Sequence, residues 1–457
     1  MAFGSMSFLF GFLPLTLLCY FLMPRRWRSG RNLVLLLFSL AFYCWGGVRL
    51  LPAFAVSCVG NWAAALLSAP GRRHRKAAYA AAVVLNVLML GYYKYTGFLL
   101  GNLAALGMDV TVPSIALPAG ISFFTFQAVA YLTDVYRGTI PAERNLGRVT
   151  LFMAFFPQLL QGPILRYGEF GPEILQRRET ADEAADGAVR FCFGLAKKVL
   201  LADALGQVAD GAFSAGDQLT VSLAWLGAVA YTLQLYFDFS GYSMMGIGMG
   251  KMLGFDFPQN FNYPYISASI TEFWRRWHMT LSGWFREYVY IPLGGNRKGL
   301  KRQIFNLFVV ELLTGIWHGA NWNFICWGLY YFVLLAIEKL FLLQYLQKGK
   351  VWPHIYTLFL VVVGWAMFVG NDTGVSFGLL FQKLFVPSGG VSPLYFLRNY
   401  GVLLAVSVVC CTPLIEKLWN LLRRRTPTRV ATILVLLVVS TAYVVGSTNS
   451  PFLYFNF

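Results

Sequence analysis

Histidine is the side chain best suited to proton transfer near neutral pH, and this chain has four of them. Two stand in unusual surroundings: His318 ends a mostly apolar run in the sequence Gly-Ile-Trp-His-Gly, and His278 follows the sequence Phe-Trp-Arg-Arg-Trp. His74 lies in a basic loop and His354 opens an apolar run beside a proline, so we expect a solvated role for the first and an interfacial role for the second. His318 and His278 are therefore the candidates for chemistry.

An imidazole of near-neutral pKa could act as the general base for an alcohol nucleophile. Polar residues in apolar sequence could support it, and they are Asp238, Ser240, Asn260 and Asn262. Asp238 could orient an imidazole or pair with an arginine; a hydrogen bond that only packs two helices is the alternative. For His318 the alternative is a structural histidine bonded to a carbonyl of a neighbouring helix. The sequence contains no zinc signature, phosphate-binding loop, dinucleotide fingerprint or serine-nucleophile motif, so no metal site is expected.

The segment around His278 predicts an amphipathic helix. Helical spacing would place these residues on one face: Trp274, Trp277, His278, Leu281, Trp284, Phe285 and Tyr288. Arg275 and Arg276 would lie on the opposite face, as in a helix at a membrane surface whose arginines reach lipid phosphate. That interpretation leaves the histidine on the apolar side unexplained, and a buried polar partner or a reaction cavity would explain it.

The composition indicates how these side chains are held in place. Of the 457 residues 57% are hydrophobic and 12% are charged, with a mean hydropathy of +0.58. In soluble domains about a quarter of the residues are charged. The sequence therefore predicts an all-α polytopic membrane protein. The seven cysteines show no metal-ligand spacing and are expected to be small buried hydrophobes.

The net charge of +17 comes largely from short basic blocks between apolar runs, at residues 25–31, 72–76, 297–302 and 423–429. Such blocks mark the cytoplasmic side of a membrane protein, which would place the N-terminus outside. A nucleic-acid partner is not expected, because no soluble face is long enough to fold.

We expect 11 to 13 membrane segments in one integral-membrane domain, residues 1–457, with N-terminal helices at 1–117, a core at 118–342 and C-terminal helices at 343–457. Residues 149–166 carry prolines and polar residues, which predicts a broken or re-entrant helix, and residues 220–254 are long enough to form two helices. The other predicted segments are 7–23, 32–47, 51–69, 77–100, 118–137, 187–204, 303–317, 324–342, 352–370, 375–386, 398–416 and 430–446.

Several motifs together resemble the membrane-bound O-acyltransferase superfamily, and within it the bacterial branch of alginate O-acetyltransferases. They cover most of the chain in order: Pro-Ala-Gly-Ile-Ser-Phe-Phe-Thr-Phe-Gln at 118–127, Asp-Val-Tyr-Arg-Gly at 134–138, Phe-Pro-Gln-Leu at 156–159, Gly-Pro-Ile at 162–164, Asp-Phe-Ser-Gly-Tyr-Ser at 238–243, Phe-Trp-Arg-Arg-Trp-His at 273–278, Tyr-Ile-Pro-Leu-Gly-Gly-Asn-Arg at 290–297, Gly-Ile-Trp-His-Gly-Ala-Asn-Trp at 315–322 and Pro-Phe-Leu-Tyr-Phe-Asn-Phe at 451–457.

The resemblance implies a ring of helices around a thinned central funnel, with His318 as the catalytic histidine and His278 as the second histidine of the signature. It implies transfer of an acetyl group from a cytoplasmic thioester, acetyl-CoA or a carrier-bound form, with no tightly bound cofactor. His318 would be the base, and His278 would orient the hydroxyl or stabilise developing charge. Trp317 and Asn321 are expected to shape the site.

The acceptor implied by the resemblance is a hydroxyl of an extracytoplasmic partner protein or an exported polysaccharide, in a bacterial inner membrane. Two alternatives stay open at this point. One is a D-alanyl transferase of teichoic acid modification that uses a carrier-protein thioester. The other is a transporter or scramblase without covalent chemistry, because broken helices and buried histidines fit that class too. The aromatic tail at 451–457 could dock a partner, close the outer funnel or lie frayed on the membrane surface.

Overall fold

The computed structural model describes residues 1–369, 375–423 and 426–446, and helices form almost all of its regular structure. The predicted all-α class is confirmed. Within the described ranges, the one β-type pairing is an isolated bridge between Leu219 and Val391. The aromatic tail at 451–457 lies outside the described residues.

Twenty-two α-helices follow one another within the described residues. In chain order they are α1 Leu13–Leu22, α2 Arg28–Trp45, α3 Leu51–Ser68, α4 Arg75–Leu90, α5 Thr96–Ala105, α6 Ile121–Arg137, α7 Leu146–Ala154, α8 Phe156–Leu159, α9 Tyr167–Leu175, α10 Ala181–Ala196, α11 Asp203–Phe213, α12 Val221–Met252, α13 Ile270–Arg276, α14 Met279–Phe285, α15 Gly299–His318, α16 Trp322–Ile337, α17 Leu343–Leu346, α18 Trp352–Ala366, α19 Phe377–Phe385, α20 Leu394–Cys410, α21 Leu414–Leu422 and α22 Thr426–Gly446.

Short π-helical or 3-10 segments adjoin several of these helices or lie between them. The π-helical turns are Ser7–Phe12, Gly91–Tyr95, Lys197–Ala202, Arg286–Tyr290 and Glu338–Leu342, and the 3-10 turns are Val48–Leu50, Gly216–Gln218 and Pro264–Ile266.

The chain divides into two compact units. The first contains Met1–Phe191 and Ser243–Pro258, and the second contains Cys192–Tyr242 and Gln259–Phe457. The boundaries at 117 and 342 that the sequence suggested do not coincide with this division. That the chain forms a single integral-membrane domain stays a prediction.

In the first unit, a buried glutamate binds the first basic block to a distant loop. The Glu179 carboxylate accepts hydrogen bonds from Arg28 and from the Tyr20 hydroxyl, the latter at 2.5 Å, and Arg31 and Arg177 lie 3.1 and 3.4 Å from it. Burial disfavours the charged carboxylate, but these hydrogen bonds and the nearby guanidinium groups hold the pKa of Glu179 below its usual value. Part of this basic block therefore has a structural role.

Two predictions about helix breaks have opposite outcomes. The break expected in 149–166 is confirmed, since Phe155 separates α7 from α8. The possible division of 220–254 is wrong, because α12 is one helix of 32 residues. Its glycines serve close packing: a Cβ on Gly241 would lie 2.8 Å from the Gly194 carbonyl oxygen.

The described residues contain four helical segments long and apolar enough to cross a membrane, or five if the pair α20 and α21, bent by 79°, is one span. The four are Val48–Ser68, Arg75–Ala105, Trp322–Leu346 and Thr426–Gly446. Two shorter apolar helices are Ser7–Leu22 and Trp352–Ala366. The larger count of 11 to 13 included segments that are short, broken or polar, so it stays a prediction.

Candidate active site

His318 is the last residue of α15, and tight glycine contacts with α16 hold this end of the helix. A Cβ on Gly315 would lie 2.5 Å from the Phe324 carbonyl oxygen, and one on Gly328 would lie 2.5 Å from the Glu311 carbonyl oxygen. Real side chains essentially never come so close, so these glycines let the two backbones touch. The sequence places His318 where one helix ends and the next begins, with its side chain buried.

His278 lies at a break between two short helices, so the predicted continuous amphipathic helix is wrong. Helix α13 ends at Arg276, Trp277 is extended, and His278 adopts a left-handed conformation with φ of 43°. The backbone N–H groups of Asn262 and Met279 bond the carbonyl oxygens of Arg276 and Asn260, each at 2.9 Å. The break is therefore fixed by backbone pairing with a segment that precedes α13.

Asn260 determines which nitrogen of His278 carries the proton. Its Oδ1 accepts the Thr280 backbone N–H at 3.3 Å and the Thr280 hydroxyl at 3.0 Å, which identifies this atom as the amide oxygen. His278 Nδ1 lies 3.0 Å from the same oxygen, so Nδ1 must donate. In the neutral ring Nε2 is then an acceptor. It is buried and makes no hydrogen bond to any residue that the structure describes.

Aromatic rings connect the surroundings of the two histidines. The Trp317 ring centroid lies 4.8 Å from that of His318 and 6.3 Å from that of His278. A second connection consists of the rings of Trp277, Trp327 and Trp365. The ring centroid of Trp327 lies 4.9 Å from that of His318, and the centroid of Trp365 lies 5.8 Å from that of Trp327 and 4.8 Å from that of Trp277. Both histidines are thus buried in one aromatic environment, where electrostatic interactions are stronger than in water.

Asp238 forms a buried ion pair with Lys198, a partner that the sequence analysis did not name. Lys198 Nζ lies 2.7 Å from an oxygen of Asp238 and 2.7 Å from an oxygen of Asp203. The sequence analysis missed this lysine, although Lys197-Lys198 interrupts the apolar run 187–204 and ionisable residues in such runs are costly. Ser240, two residues beyond Asp238, is buried and its hydroxyl has no hydrogen-bond partner among the described residues.

Other predicted site residues lie on the surface. Arg275, Asn262 and Asn321 are exposed, and Asn321 only precedes the first residue of α16. Arg276 pairs with Glu272 at 2.8 Å, and it also donates to the Asn262 carbonyl at 3.1 Å. The structure therefore brings together His318, His278, Asn260 and Trp317. The other four, Arg275, Arg276, Asn262 and Asn321, lie at the edge of this group or outside it. Trp327 and Trp365 were missed, because no spacing signal distinguishes them from other buried aromatics.

A sequence model of the membrane-bound O-acyltransferase family matches residues 142–379, which include both histidines. The chain belongs to this family. Its sequence aligns with those of relatives over most of its length. It is 46% identical over 385 residues to a probable alginate O-acetylase of Azotobacter vinelandii, covering 82% of this chain and 76% of that one. A probable alginate O-acetylase of Pseudomonas putida is 40% identical over the full length of both chains.

A third relative has another acceptor in its name. It is a peptidoglycan O-acetyltransferase of Helicobacter pylori, 36% identical over 369 residues, covering 74% of this chain and 70% of that one. Together with the family match, these relatives show that the O-acyltransferase is a membrane O-acetyltransferase of the alginate O-acetylase-like branch and a multi-pass membrane protein. A transporter or scramblase without covalent chemistry is therefore not the function.

Proposed function

We propose that this O-acetyltransferase moves an acetyl group from a cytoplasmic thioester, acetyl-CoA, across the membrane to a hydroxyl of an exported or cell-envelope polysaccharide. An extracytoplasmic acetyltransferase or acceptor protein could relay the group. The observation that carries the proposal is the pair of buried histidines next to Trp317, one of them with an accepting nitrogen fixed by Asn260. Such a pair suits removal of a hydroxyl proton.

In the proposed reaction, the acceptor oxygen attacks the thioester carbonyl carbon while His318 takes the hydroxyl proton. The tetrahedral intermediate collapses with cleavage of the carbon–sulfur bond, and His318 returns the proton to the leaving thiolate. The products are the O-acetyl ester and free thiol. Because the single proton of the attacking hydroxyl goes to His318, His278 accepts at Nε2 a hydrogen bond from a second hydroxyl of the sugar and so orients the acceptor. Its neutral tautomer has no donor there, which favours orientation over stabilisation of negative charge.

The donor side of the proposal is supported by a basic segment before and within the first turn of α15. Arg297, Lys298 and Lys301 are exposed, and the loop that carries them is fixed by a hydrogen bond from Asn306 to the Gly295 carbonyl at 3.1 Å. An array of cations attracts the phosphates of a nucleotide thioester. Placing this loop on the cytoplasmic face of a bacterial inner membrane follows the charge bias of the sequence.

The acceptor class is proposed from the relatives' names, which specify alginate and peptidoglycan. Both polymers carry sugar hydroxyls, and the aromatic surroundings of the histidines suit the apolar face of a sugar ring. A polysaccharide hydroxyl is therefore the proposed acceptor, with a role in exopolysaccharide or envelope modification.

Sealed liposomes test donor, acceptor and direction together. The vesicles enclose alginate oligosaccharides or peptidoglycan fragments, and radiolabelled acetyl-CoA is added outside. We expect label on the enclosed sugar with acetyl-CoA, and no label on the sugar when a D-alanyl carrier-protein thioester, labelled in its D-alanyl group, replaces it. Label that appears only when donor and acceptor share one compartment would contradict transfer across the membrane. Turnover with the carrier thioester alone would replace the proposed donor.

A further inference from the structure

Glu338, a buried carboxylate in the second unit, binds the beginning of the helix that leads to His278. Glu338 follows the last residue of α16 and its side chain is fully buried. One carboxylate oxygen accepts the Ile270 backbone N–H at 2.7 Å. The other accepts the Thr271 backbone N–H at 2.8 Å and the Thr271 hydroxyl at 2.7 Å. Glu338 thus accepts hydrogen bonds from the first two backbone donors of α13.

These bonds matter because α13 is too short to be stable alone. It has seven residues, and isolated helices need roughly 12 to 15 residues to form in water. The first N–H groups of any helix have no partner inside it. Ser269 accepts the third of these, from Glu272, at 3.0 Å, and the first two depend on Glu338. A carboxylate at a helix N-terminus also interacts favourably with the helix dipole.

Glu338 connects the elements that carry the two histidines. Helix α16 contacts α15 through Gly328 and provides Trp327, whose ring lies 4.9 Å from that of His318. From the C-terminal end of α16, Glu338 binds α13, whose last residue lies two positions before His278. The same helix therefore contacts the ring of one histidine and fixes the start of the segment that carries the other.

Burying a carboxylate is costly unless its hydrogen bonds are made. A neutral residue of similar size would fill the same space without that cost, so the three short bonds point to a specific task. We infer that Glu338 is a positioning residue for acetyl transfer: it fixes α13 so that His278 is correctly placed beside the reacting groups. This inference rests on the proposed role of His278.

The variant Glu338→Gln keeps the size of the side chain and replaces one accepting oxygen with a donor that faces an N–H group. We expect kcat to fall roughly 10- to 100-fold, because a small misplacement of a reacting group has that effect, with KM for donor and acceptor within about threefold of wild type. Glu338→Asp keeps both oxygens on a shorter side chain, so its kcat should lie between those of wild type and Glu338→Gln. The control is Lys339→Gln, which neutralises an exposed charge on the same turn.

Two double-mutant cycles separate positioning from general stability. Thr271→Val removes one of the three donors, so its effect should not add to that of Glu338→Gln. Likewise, Glu338→Gln should reduce the residual activity of His278→Ala by less than about threefold, because the helix then has no imidazole to place. Activities are normalised to enzyme that elutes as a single folded species in detergent.

The outcomes distinguish the two proposals. If Glu338→Gln keeps kcat within threefold of wild type while His278→Ala retains only a small residual activity, the positioning role is wrong and the role of His278 stands. If His278→Ala keeps wild-type activity, the role of His278 is wrong as well. If Glu338→Gln only lowers the melting temperature, with normal kcat per folded enzyme, Glu338 is structural. If Glu338→Gln does not fold, Glu338→Asp decides by the same kcat criterion.

Discussion

Replacing Asn260 tests whether the tautomer of His278 matters for catalysis. The variant Asn260→Leu has nearly the same size and shape but removes an acceptor that receives three hydrogen bonds. Two donors, the Thr280 N–H and the His278 Nδ1–H, would then face an apolar side chain. A buried donor without a partner costs about 1 to 3 kcal/mol, so the native ring position loses at least about 2 kcal/mol relative to rotated or shifted alternatives.

If that loss falls on the catalytic step, a penalty of about 2 to 3 kcal/mol lowers kcat roughly 30- to 150-fold, at about 1.4 kcal/mol per factor of ten. Asn260→Asp keeps an accepting oxygen and should stay within about tenfold of wild type. The assay measures free thiol released from acetyl-CoA by liposome-embedded enzyme with a polysaccharide acceptor, per folded enzyme.

The matched control is Asn262→Leu. Asn262 was also a candidate in the sequence, but its side chain is exposed. Its hydrogen bonds with Arg276, within the part of the chain that the structure describes, use the backbone atoms of Asn262. We expect its kcat within about threefold of wild type. The reasoning is refuted if Asn260→Leu is as active as this control, or if Asn260→Asp is as inactive as Asn260→Leu.

Three further predictions concern the packing and the charges. Gly328→Ala should abolish activity and lower the melting temperature, because its Cβ would meet a backbone carbonyl at 2.5 Å, whereas Gly101→Ala, with open space around it, should do neither. Lys198→Met leaves the buried Asp238 without its cation and should destabilise the protein by roughly 3 to 5 kcal/mol, and adding Asp238→Asn should restore part of this loss in detergent unfolding. Burial raises the pKa of Glu173 to about 7, above its unfolded value, so its contribution to stability is present below pH 4.5 and lost as the pH rises toward 7. The melting temperature of wild type should therefore fall more between pH 5 and 8 than that of Glu173→Gln, and equal falls would contradict this.

The sequence predicted features that depend on local composition. High hydrophobicity and short basic loops indicated a helical membrane protein, and the prolines in 149–166 indicated the break that Phe155 makes. The unusual surroundings of His318 and His278 distinguished them from His74 because a titratable side chain among apolar residues needs a reason.

Features that depend on pairing between distant segments could not be read from periodicity. The helical spacing of 274–288 carries no information about Asn260, which lies outside that segment. The backbone and side chain of Asn260 stabilise the left-handed conformation of His278, and the helix is interrupted there. The partner of Asp238 was missed because Lys198 lies 40 positions away, on a different helical segment. The length of 220–254 allowed two helices, and only the structure shows one continuous helix in which Gly241 packs against a carbonyl oxygen.

The central claim is that His318 removes the proton of the acceptor hydroxyl. The most direct test is label transfer from radiolabelled acetyl-CoA to alginate oligosaccharides by liposome-embedded His318→Ala, compared with His74→Ala, whose histidine is exposed. We predict a loss of roughly 10²- to 10⁴-fold in kcat for His318→Ala, the range for a positioned general base, with unchanged elution and melting. His74→Ala should match wild type. Transfer by folded His318→Ala at a rate within threefold of wild type would contradict the claim.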